Sequence, residues 1–322
     1  MGLGTWQFGS GEWGYGSAYA TEVAPRIVAC SLDLGVTLFD TAEAYAFGRS
    51  EGILGRALGD RRPEAFVATK LFPVLPVNPV VASRARGSLR RLGMDVIDLY
   101  QVHWHNPVVP VRATMRAFAE LQRDGLIRHV GVSNFSLAHW QEADRGLGGP
   151  VLSNQVKYSL IDRGPEDELL GWAQANDRLV IAYSPLSQGL LSGRYGPDNL
   201  PGGLRAGTPA FLPDNVRRLA PVLDALRRVA AAHGATCSQV ALAWLIRRPN
   251  VVVIPGASSV EQAEANAEAA DLELSDDEDA ELTAASDAFD PVRGAAALPA
   301  LARVRADRVA GRVRRAVAGL GQ

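Results

Sequence analysis

Eight short apolar runs, separated by segments of helical composition or long polar loops, constrain this chain more than any other feature of its sequence. From the amino end they read LGTWQF, VTLFDT, AFVATKL, VIDLYQVH, RHVGVSN, LSNQVKY, LVIAYSPL and VVVIPGA. They are rich in Val, Ile and Leu and apolar on both faces, as strands are when a parallel sheet is covered on both sides. Among the intervening segments, SEGILGRALG, PVRATMRAFAELQRDG, DELLGWAQAN and VRRLAPVLDALRRVAAAHG carry helical periodicity, and several close on glycine. Length alone, 322 residues at 47% hydrophobic, allows one barrel or two smaller domains. The alternation decides: eight strands interleaved with helices fit a closed (β/α)8 barrel of the TIM type better than an open sheet.

Two additions break the simple repeat. SQVALAWLIRR supplies a second helix between the seventh and eighth strands, and after the eighth come SSVEQAEANAEAA, SDDEDAELTAAS and a basic tail. The expected organisation is a single domain over residues 1–322, with the barrel at about 2–270 and a helical extension at about 275–322. Seven arginines from Arg293 onward, with Leu301, Val309, Val313 and Val317 at near-helical spacing, predict a basic amphipathic helix on the outside of the barrel.

Charge and cysteine usage exclude several classes of partner. A net charge of -2 gives no global positive field for nucleic acid. There is no apolar run long enough to span a bilayer and no signal-peptide pattern at the amino terminus. Cys30 and Cys237 lie in no ligand spacing, so a reducing cytoplasm is the expected setting and neither a disulfide scaffold nor a metal is expected.

In a barrel of this kind the reactive side chains come from the carboxyl ends of different strands. Asp40 ends the second strand, Lys70 the third and His103 the fourth, and Tyr45 follows just beyond the second. Singly, Asp40 reads as a helix cap, Tyr45 as a half-buried ring and His103 as a hydrogen-bonded barrel residue. Lys70 is harder to dismiss, because of 33 basic residues only Lys70 and Lys157 are lysines. A compact ammonium can approach a phenol where a guanidinium fork cannot. Such an ammonium favours phenolate and is expected to lower the phenol's pKa, while a carboxylate holds it in place and the imidazole orients a carbonyl oxygen. This set suits proton donation to a carbonyl that receives a hydride, and it implies a redox cofactor to supply that hydride.

The ordered motifs DTAEAY, ATK, LYQVHW, GVSNF, NQVKYSL, AYSPLSQGLLSGRY and IPGASSVEQAEAN, spanning Gly2 to Asn266, resemble those of the aldo-keto reductase superfamily. The likeness is to its branch similar to potassium-channel beta subunits and bacterial oxidoreductases. The resemblance implies a barrel that binds NADP(H), with NAD(H) weaker, and reduces small aldehydes or ketones to alcohols. It implies Tyr45 as general acid, tuned by Lys70 and Asp40, with His103 positioning the carbonyl. Ser133, Asn134 and Gln155 would hold the nicotinamide carboxamide, and Tyr183 would stack on the ring. Ser184, Pro185, Leu186 and Gln188 correspond to the pyrophosphate side, flanked by Thr5 and Trp6. Gly256, Ser258, Gln262 and Asn266 correspond to the adenine end, and Arg194 and Arg205 to cationic positions in the long loop after strand seven.

There are departures and rivals. Ala46 stands where the family usually has glycine, Ala265 where glutamate is common, and the chain starts almost at strand one without the family's β-hairpin. Trp13, Phe72 and Trp104 are expected to line an apolar substrate mouth, alongside Tyr15. GSGEWG, from Gly9 to Gly14, spells a dinucleotide fingerprint, with Asp40 as a ribose-binding acid, and so offers a Rossmann alternative. A regulatory or sensor subunit that binds NADP(H) with little turnover is the second. A metal site at His103 and His105, which alternation puts on one face, is the third and lacks further ligands.

Overall fold

The structure, a computed structural model, describes residues 1–10, 16, 18–202 and 205–304. Eight parallel strands follow one another in sequence order, each hydrogen-bonded to the next: β1 (Gly2–Gly4), β2 (Leu38–Asp40), β3 (Phe66–Leu71), β4 (Ile97–Val102), β5 (Ile127–Ser133), β6 (Ser153–Lys157), β7 (Leu179–Tyr183) and β8 (Val251–Val253). A parallel bridge from Gly4 to Gly256 closes the ring, with the Gly4 N–H donating to the Pro255 carbonyl at 3.0 Å. A Cβ on Gly4 would lie 2.8 Å from the Ile254 carbonyl oxygen, so closure at this seam requires glycine. Sequential order around a (β/α)8 barrel is incompatible with a doubly wound Rossmann sheet, which removes that rival.

Most helices of the first unit pack beside the strands by burying one apolar face. In α4 (Val111–Arg123) the buried set is Val111, Thr114, Met115, Ala117, Phe118 and Leu121, the three-and-four spacing of an amphipathic helix. Phe39 and Val67 point outward from their strands into a cluster with Ile27 and Val28 of α1 (Ala24–Asp33) and Leu54 and Leu58 of α2 (Arg49–Leu58). Their neighbours point inward. Leu38, Ala68, Leu99, Ile181 and Ile254 form an apolar layer inside the ring. Two residues further along the same strands stand Asp40, Lys70, Gln101 and Tyr183. A period of two therefore sets a polar layer directly above an apolar one, at the carboxyl end.

Several boundaries differ from expectation. β1 stops at Gly4 rather than running to Phe8, because its partner β2 stops at Asp40 and offers no further ladder; Trp6–Gly9 turn instead. The expected helix VRRLAPVLDALRRVAAAHG is two, α7 (Pro213–Arg218) and α8 (Ala220–His233). Pro221 sits in the first turn of α8, where its ring prevents a continuous helix from α7. With α9 (Cys237–Ile246) the described part of the β7–β8 connection thus holds three α-helices where two were expected. α10 (Val260–Glu268) and α11 (Asp276–Asp287) fall where expected.

The chain divides into two compact units, Met1–Pro185 with Gln239–Leu274, and Leu186–Ser238 with Ser275–Gln322. All eight strands belong to the first. Within the second, α8 and α11 are joined by the Arg228–Glu281 ion pair at 2.5 Å and the His233–Glu278 hydrogen bond at 2.8 Å. Gly294–Val304 is helical. The remainder of the basic tail, with Val309, Val313 and Val317, lies outside the described residues. Among the described residues no single helix is long and apolar enough to cross a membrane.

Candidate active site

The end of β2 begins the site. Thr5, just past β1, donates both its backbone N–H and its hydroxyl to the Asp40 carbonyl at 2.9 Å, and the same hydroxyl lies 3.0 Å from that of Ser50, which fixes the Thr5 side chain. The chain then turns through Tyr45–Gly48 into α2. Ala46 and Phe47 take left-handed φ angles of 48° and 56°, conformations disfavoured for residues with a side chain. Gly48 is also left-handed, and a Cβ there would lie 2.5 Å from Nε of Arg91. Gly48 thus leaves room for the Arg91 side chain against the turn that follows Tyr45.

Lys70, fully buried, reaches this turn from β3. Its Nζ donates to Asp40 Oδ1 at 2.6 Å, to the Thr41 carbonyl at 2.8 Å and to the Tyr45 hydroxyl at 3.2 Å. Burial opposes the ammonium, but Asp40 and Tyr45 outweigh it and hold Lys70 above the ordinary lysine range. The phenol differs from expectation. Burial is the largest influence on Tyr45 and raises it, Asp40 adds to that, and Lys70 only partly offsets them. The net shift is upward, so Tyr45 is a protonated phenol at neutral pH, with a base-stabilising ammonium already beside it.

Asp40 is shared further. Its Oδ2 accepts the Gln155 amide at 2.7 Å and the Gln101 amide at 3.4 Å. Gln101 was missed from the sequence, though a signal exists: it is polar, within an apolar strand, and two residues before His103, hence on the same face. His103 follows the last residue of β4, edge-on to the Tyr45 ring at 5.8 Å. Its Nδ1 is buried without a hydrogen-bond partner. Burial, then Lys70, push its imidazole down to about 3, so the ring is neutral. His105 does not join it. The strand ends at Val102, alternation stops there, and His105 stacks on His139 at 3.9 Å instead.

Beside these lies a second hydrogen-bonded group. The Ser133 hydroxyl donates to the Gln155 carbonyl at 2.8 Å, and the Asn134 amide to the His103 carbonyl at 3.2 Å and Ser133 Oγ at 3.1 Å. The Tyr183 hydroxyl donates to Asn134 Oδ1 at 3.0 Å. Asn134 and Ser184 both have positive φ. At the mouth, Phe72 and Trp104 meet edge to face at 5.7 Å, and Trp104 stacks on His103 at 3.8 Å. Phe72, Trp104 and Trp6 keep roughly two-fifths of their surface exposed. Trp13, Tyr15 and most of the GSGEWG fingerprint lie outside the described residues.

The expected adenine end gathers around the start of α10. Asn266 donates to the Gly256 carbonyl at 3.3 Å, and the Ser258 N–H and hydroxyl both donate to Gln262 Oε1, at 2.9 and 2.8 Å. Ser259, not Ser258, caps the helix. Ser184 and Pro185 belong to the first unit, and Leu186, Gln188, Arg194 and Arg205 to the second. There the Ser187–Ser192 turn places Gln188 at φ 58°; Arg194 is exposed, and Arg205 opens a short 3-10 turn. Lys157, the other lysine, pairs with Asp162 at 2.8 Å, half exposed, as a structural lysine would.

A buried Lys–Asp pair, a protonated phenol and a neutral imidazole in contact at the carboxyl end of the barrel are equipped to pass a proton to a polarised oxygen. The sequence model for the aldo/keto reductase family matches residues 1–287. An uncharacterised oxidoreductase of Mycobacterium tuberculosis is 55% identical over 292 residues, 91% of this chain and 90% of that protein. The NADH-specific methylglyoxal reductase of Escherichia coli is 32% identical, over 86% of this chain and 91% of that one. The structure of an aldo/keto reductase from Klebsiella pneumoniae, in complex with NADP and acetate, is 33% identical with a TM-score of 0.71, covering 91% of this chain and 92% of that one. Motif order, barrel and family match agree over most of the length, and the chain belongs to the aldo/keto reductase family.

Proposed function

We propose that this protein reduces an aldehyde or ketone to the alcohol with NADP(H), reversibly, with Tyr45 as the general acid. One observation carries the reading: the fully buried Lys70 ammonium lies between the Asp40 carboxylate at 2.6 Å and the Tyr45 hydroxyl at 3.2 Å. As a carbonyl oxygen gains charge, the Tyr45 O–H gives up its proton, and the phenolate left behind is already beside Lys70. Asp40, itself held by Gln155 and Gln101, keeps that ammonium in place. His103, neutral at working pH, can donate one ring N–H to the carbonyl oxygen without competing as the acid. A reduced nicotinamide, when bound, supplies the hydride.

The residues present suit such a group. Ser133, Asn134 and Gln155 form an amide-and-hydroxyl network of the kind a carboxamide can join, and Tyr183 is fixed beside it through Asn134. By the family resemblance, Thr5, Trp6, Ser184 and Pro185 of the first unit, and Leu186, Gln188, Arg194 and Arg205 of the second, are each candidates for the pyrophosphate side. Gly256, Ser258, Gln262 and Asn266 serve the adenosine. Phe72 and Trp104 wall the substrate opening. The alternative of a subunit without turnover is less favoured, because all four proton-transfer positions are filled by residues in contact range.

The NADP complex of the Klebsiella relative supports NADP(H), whereas the Escherichia coli relative is NADH-specific. We place this chain on the NADP(H) side with a modest preference. Ser258 offers an N–H and a hydroxyl near a helix start, but both are engaged by Gln262, and Glu261 already puts an acid in the first turn of α10. The expected preference is ~10- to ~100-fold. Fluorescence titration of both cofactors should show NADPH binding tighter, and Ser258→Asp should abolish or reverse the order. Equal affinities in wild type would refute it. For the chemistry, protein, NADPH and an aromatic aldehyde should lose the absorbance of the reduced cofactor. Tyr45→Phe should slow that by ~10²-fold or more with NADPH binding retained, and near wild-type turnover in this variant removes Tyr45 from the role.

A further inference from the structure

Glu43 lies two residues before Tyr45, in a loop otherwise accounted for by proton transfer, and its carboxylate does not face Lys70 or Asp40. It is nearly buried, with 9% of its side chain exposed. Oε1 accepts the backbone N–H of Phe72 at 2.5 Å, and Arg84 Nε contacts the two carboxylate oxygens at 3.0 and 3.1 Å. Arg84, from α3 (Val80–Leu92), then reaches back: its Nη1 donates to the Phe72 carbonyl at 2.9 Å and to the Val74 carbonyl at 3.4 Å. The pair thus holds both backbone polar groups of Phe72. A buried carboxylate is costly unless its lone pairs are filled, and here a guanidinium and an amide fill them.

Ordinary loop closure would explain a clamp, but not the residue it clamps. Phe72 gives up its backbone and keeps its ring presented at the opening, edge-on to Trp104, which stacks on His103. The Asn106 amide donates to the Pro73 carbonyl at 2.8 Å, fastening the loop after β4 to the same segment. The loops after β2, β3 and β4 are therefore joined at Phe72. One carries the proton donor, one the aromatic wall and one the imidazole.

We propose that Glu43 and Arg84 are positioning residues that set substrate selectivity, holding the Phe72–Trp104 wall so that aromatic carbonyls are favoured over small aliphatic ones. This rests on the carbonyl-reductase reading above. An aromatic aldehyde uses the wall as well as Tyr45 and His103; a three-carbon aldehyde reaches only the latter. Loss of the latch therefore costs the aromatic substrate binding and leaves the small one nearly unaffected.

The test compares benzaldehyde and propanal as substrates of wild type, Glu43→Ala, Glu43→Gln and Arg84→Met, with hydrogen exchange at the Phe72 amide measured in parallel. Glu43→Ala should raise KM for benzaldehyde about tenfold, the weight of one aromatic contact, leave propanal kinetics within about twofold, and deprotect the Phe72 amide. Glu43→Gln keeps an acceptor for that amide and removes the ion pair, so it should fall between, close to Arg84→Met. Equal losses on both aldehydes would overturn the proposal, since they indicate damage to the fold or to proton transfer. Unchanged selectivity in an active Glu43→Ala protein overturns the latch alone. Wild-type protein that reduces neither aldehyde overturns the carbonyl-reductase reading, and the proposal with it.

Discussion

Two buried aspartates, at opposite ends of the barrel, are neutralised in different ways. Asp98, near the start of β4, accepts Arg62 at 2.8 Å, the Val67 N–H at 2.9 Å and Arg128 at 3.1 Å. Arg128 keeps 62% of its side chain exposed, so its charge remains largely hydrated while the acid is satisfied. Asp40, at the end of β2, is neutralised by a lysine with no exposure at all, and two glutamine amides crowd its other oxygen. The lower cluster is closed. The upper one shares its ammonium with a titratable phenol and lies beside an imidazole nitrogen without a partner. A buried carboxylate paired with cations can stabilise a fold or prepare a reaction; the difference lies in desolvation and in what the cation is left to touch.

Removing one partner from each cluster tests that contrast most strongly. Lys70→Met strands the Asp40 charge in a dry interior and deprives Tyr45 of its ammonium. Turnover should fall ~10²-fold or more, with ~3–5 kcal/mol lost from stability by urea unfolding. Asp98→Asn preserves shape and leaves partly hydrated arginines, so it should cost about 1–2 kcal/mol and leave the rate unchanged. If Asp98→Asn stops turnover, the two ends are not distinct in function.

A pH series sharpens the comparison next. The His103 imidazole falls from 6.5 to about 3 on folding, by burial first and Lys70 second. The unfolded chain therefore binds a proton that the folded one refuses between those values. Stability from this residue is complete above 6.5 and declines as pH falls toward 3, at ~1.4 kcal/mol per unit within the window. The denaturant midpoint of wild type should therefore fall relative to that of His103→Gln as pH drops from 6.5 toward 3, with the offset constant above 6.5. Parallel curves would mean that His103 is not dry.

The smallest effect concerns backbone strain. In the loops that precede β7 and β8, the left-handed positions are Asp177 and Asn250, residue types that accept that conformation. Around the carboxyl-end loops they include Ala46, Phe47 and Leu75, which do not. Ala46→Gly should therefore raise stability by about 0.5–1 kcal/mol, strain relief exceeding the entropy cost of glycine. Asn250→Gly should change it by no more than a few tenths of a kcal/mol. Thermal unfolding distinguishes them, and equal shifts would show that the turn after Tyr45 is unstrained. Strain kept at a site that must hold one phenol in place is consistent with a cost tolerated for positioning.

Much of this was legible along the chain. Fully apolar strands and helical periodicity are local signals, and their alternation suffices for barrel and strand order. The grouping of Asp40, Lys70 and His103 follows from the same reading, because a period of two and a strand terminus identify which side chains share a face and an end, although β3 runs one residue past Lys70 and β4 stops one short of His103. The rarity of lysine marked Lys70, while Lys157 turned out to be an ordinary surface partner of Asp162. Helix breaks were less legible: Pro221 splits α7 from α8 inside an otherwise periodic run.

What the order of residues determined by itself was therefore the set of groups and the end of the barrel at which they stand. Only the tertiary structure decided what each group does to the others. Whether Tyr45 is raised or lowered is a contest between desolvation and Lys70, and burial wins it. Whether Gln155 faces Asp40, or Glu43 faces Phe72 rather than Lys70, depends on side chains separated by many residues that meet within hydrogen-bond distance. Periodicity is a property of neighbours in sequence; dielectric, ion pairing and hydrogen-bond choice are properties of neighbours in space.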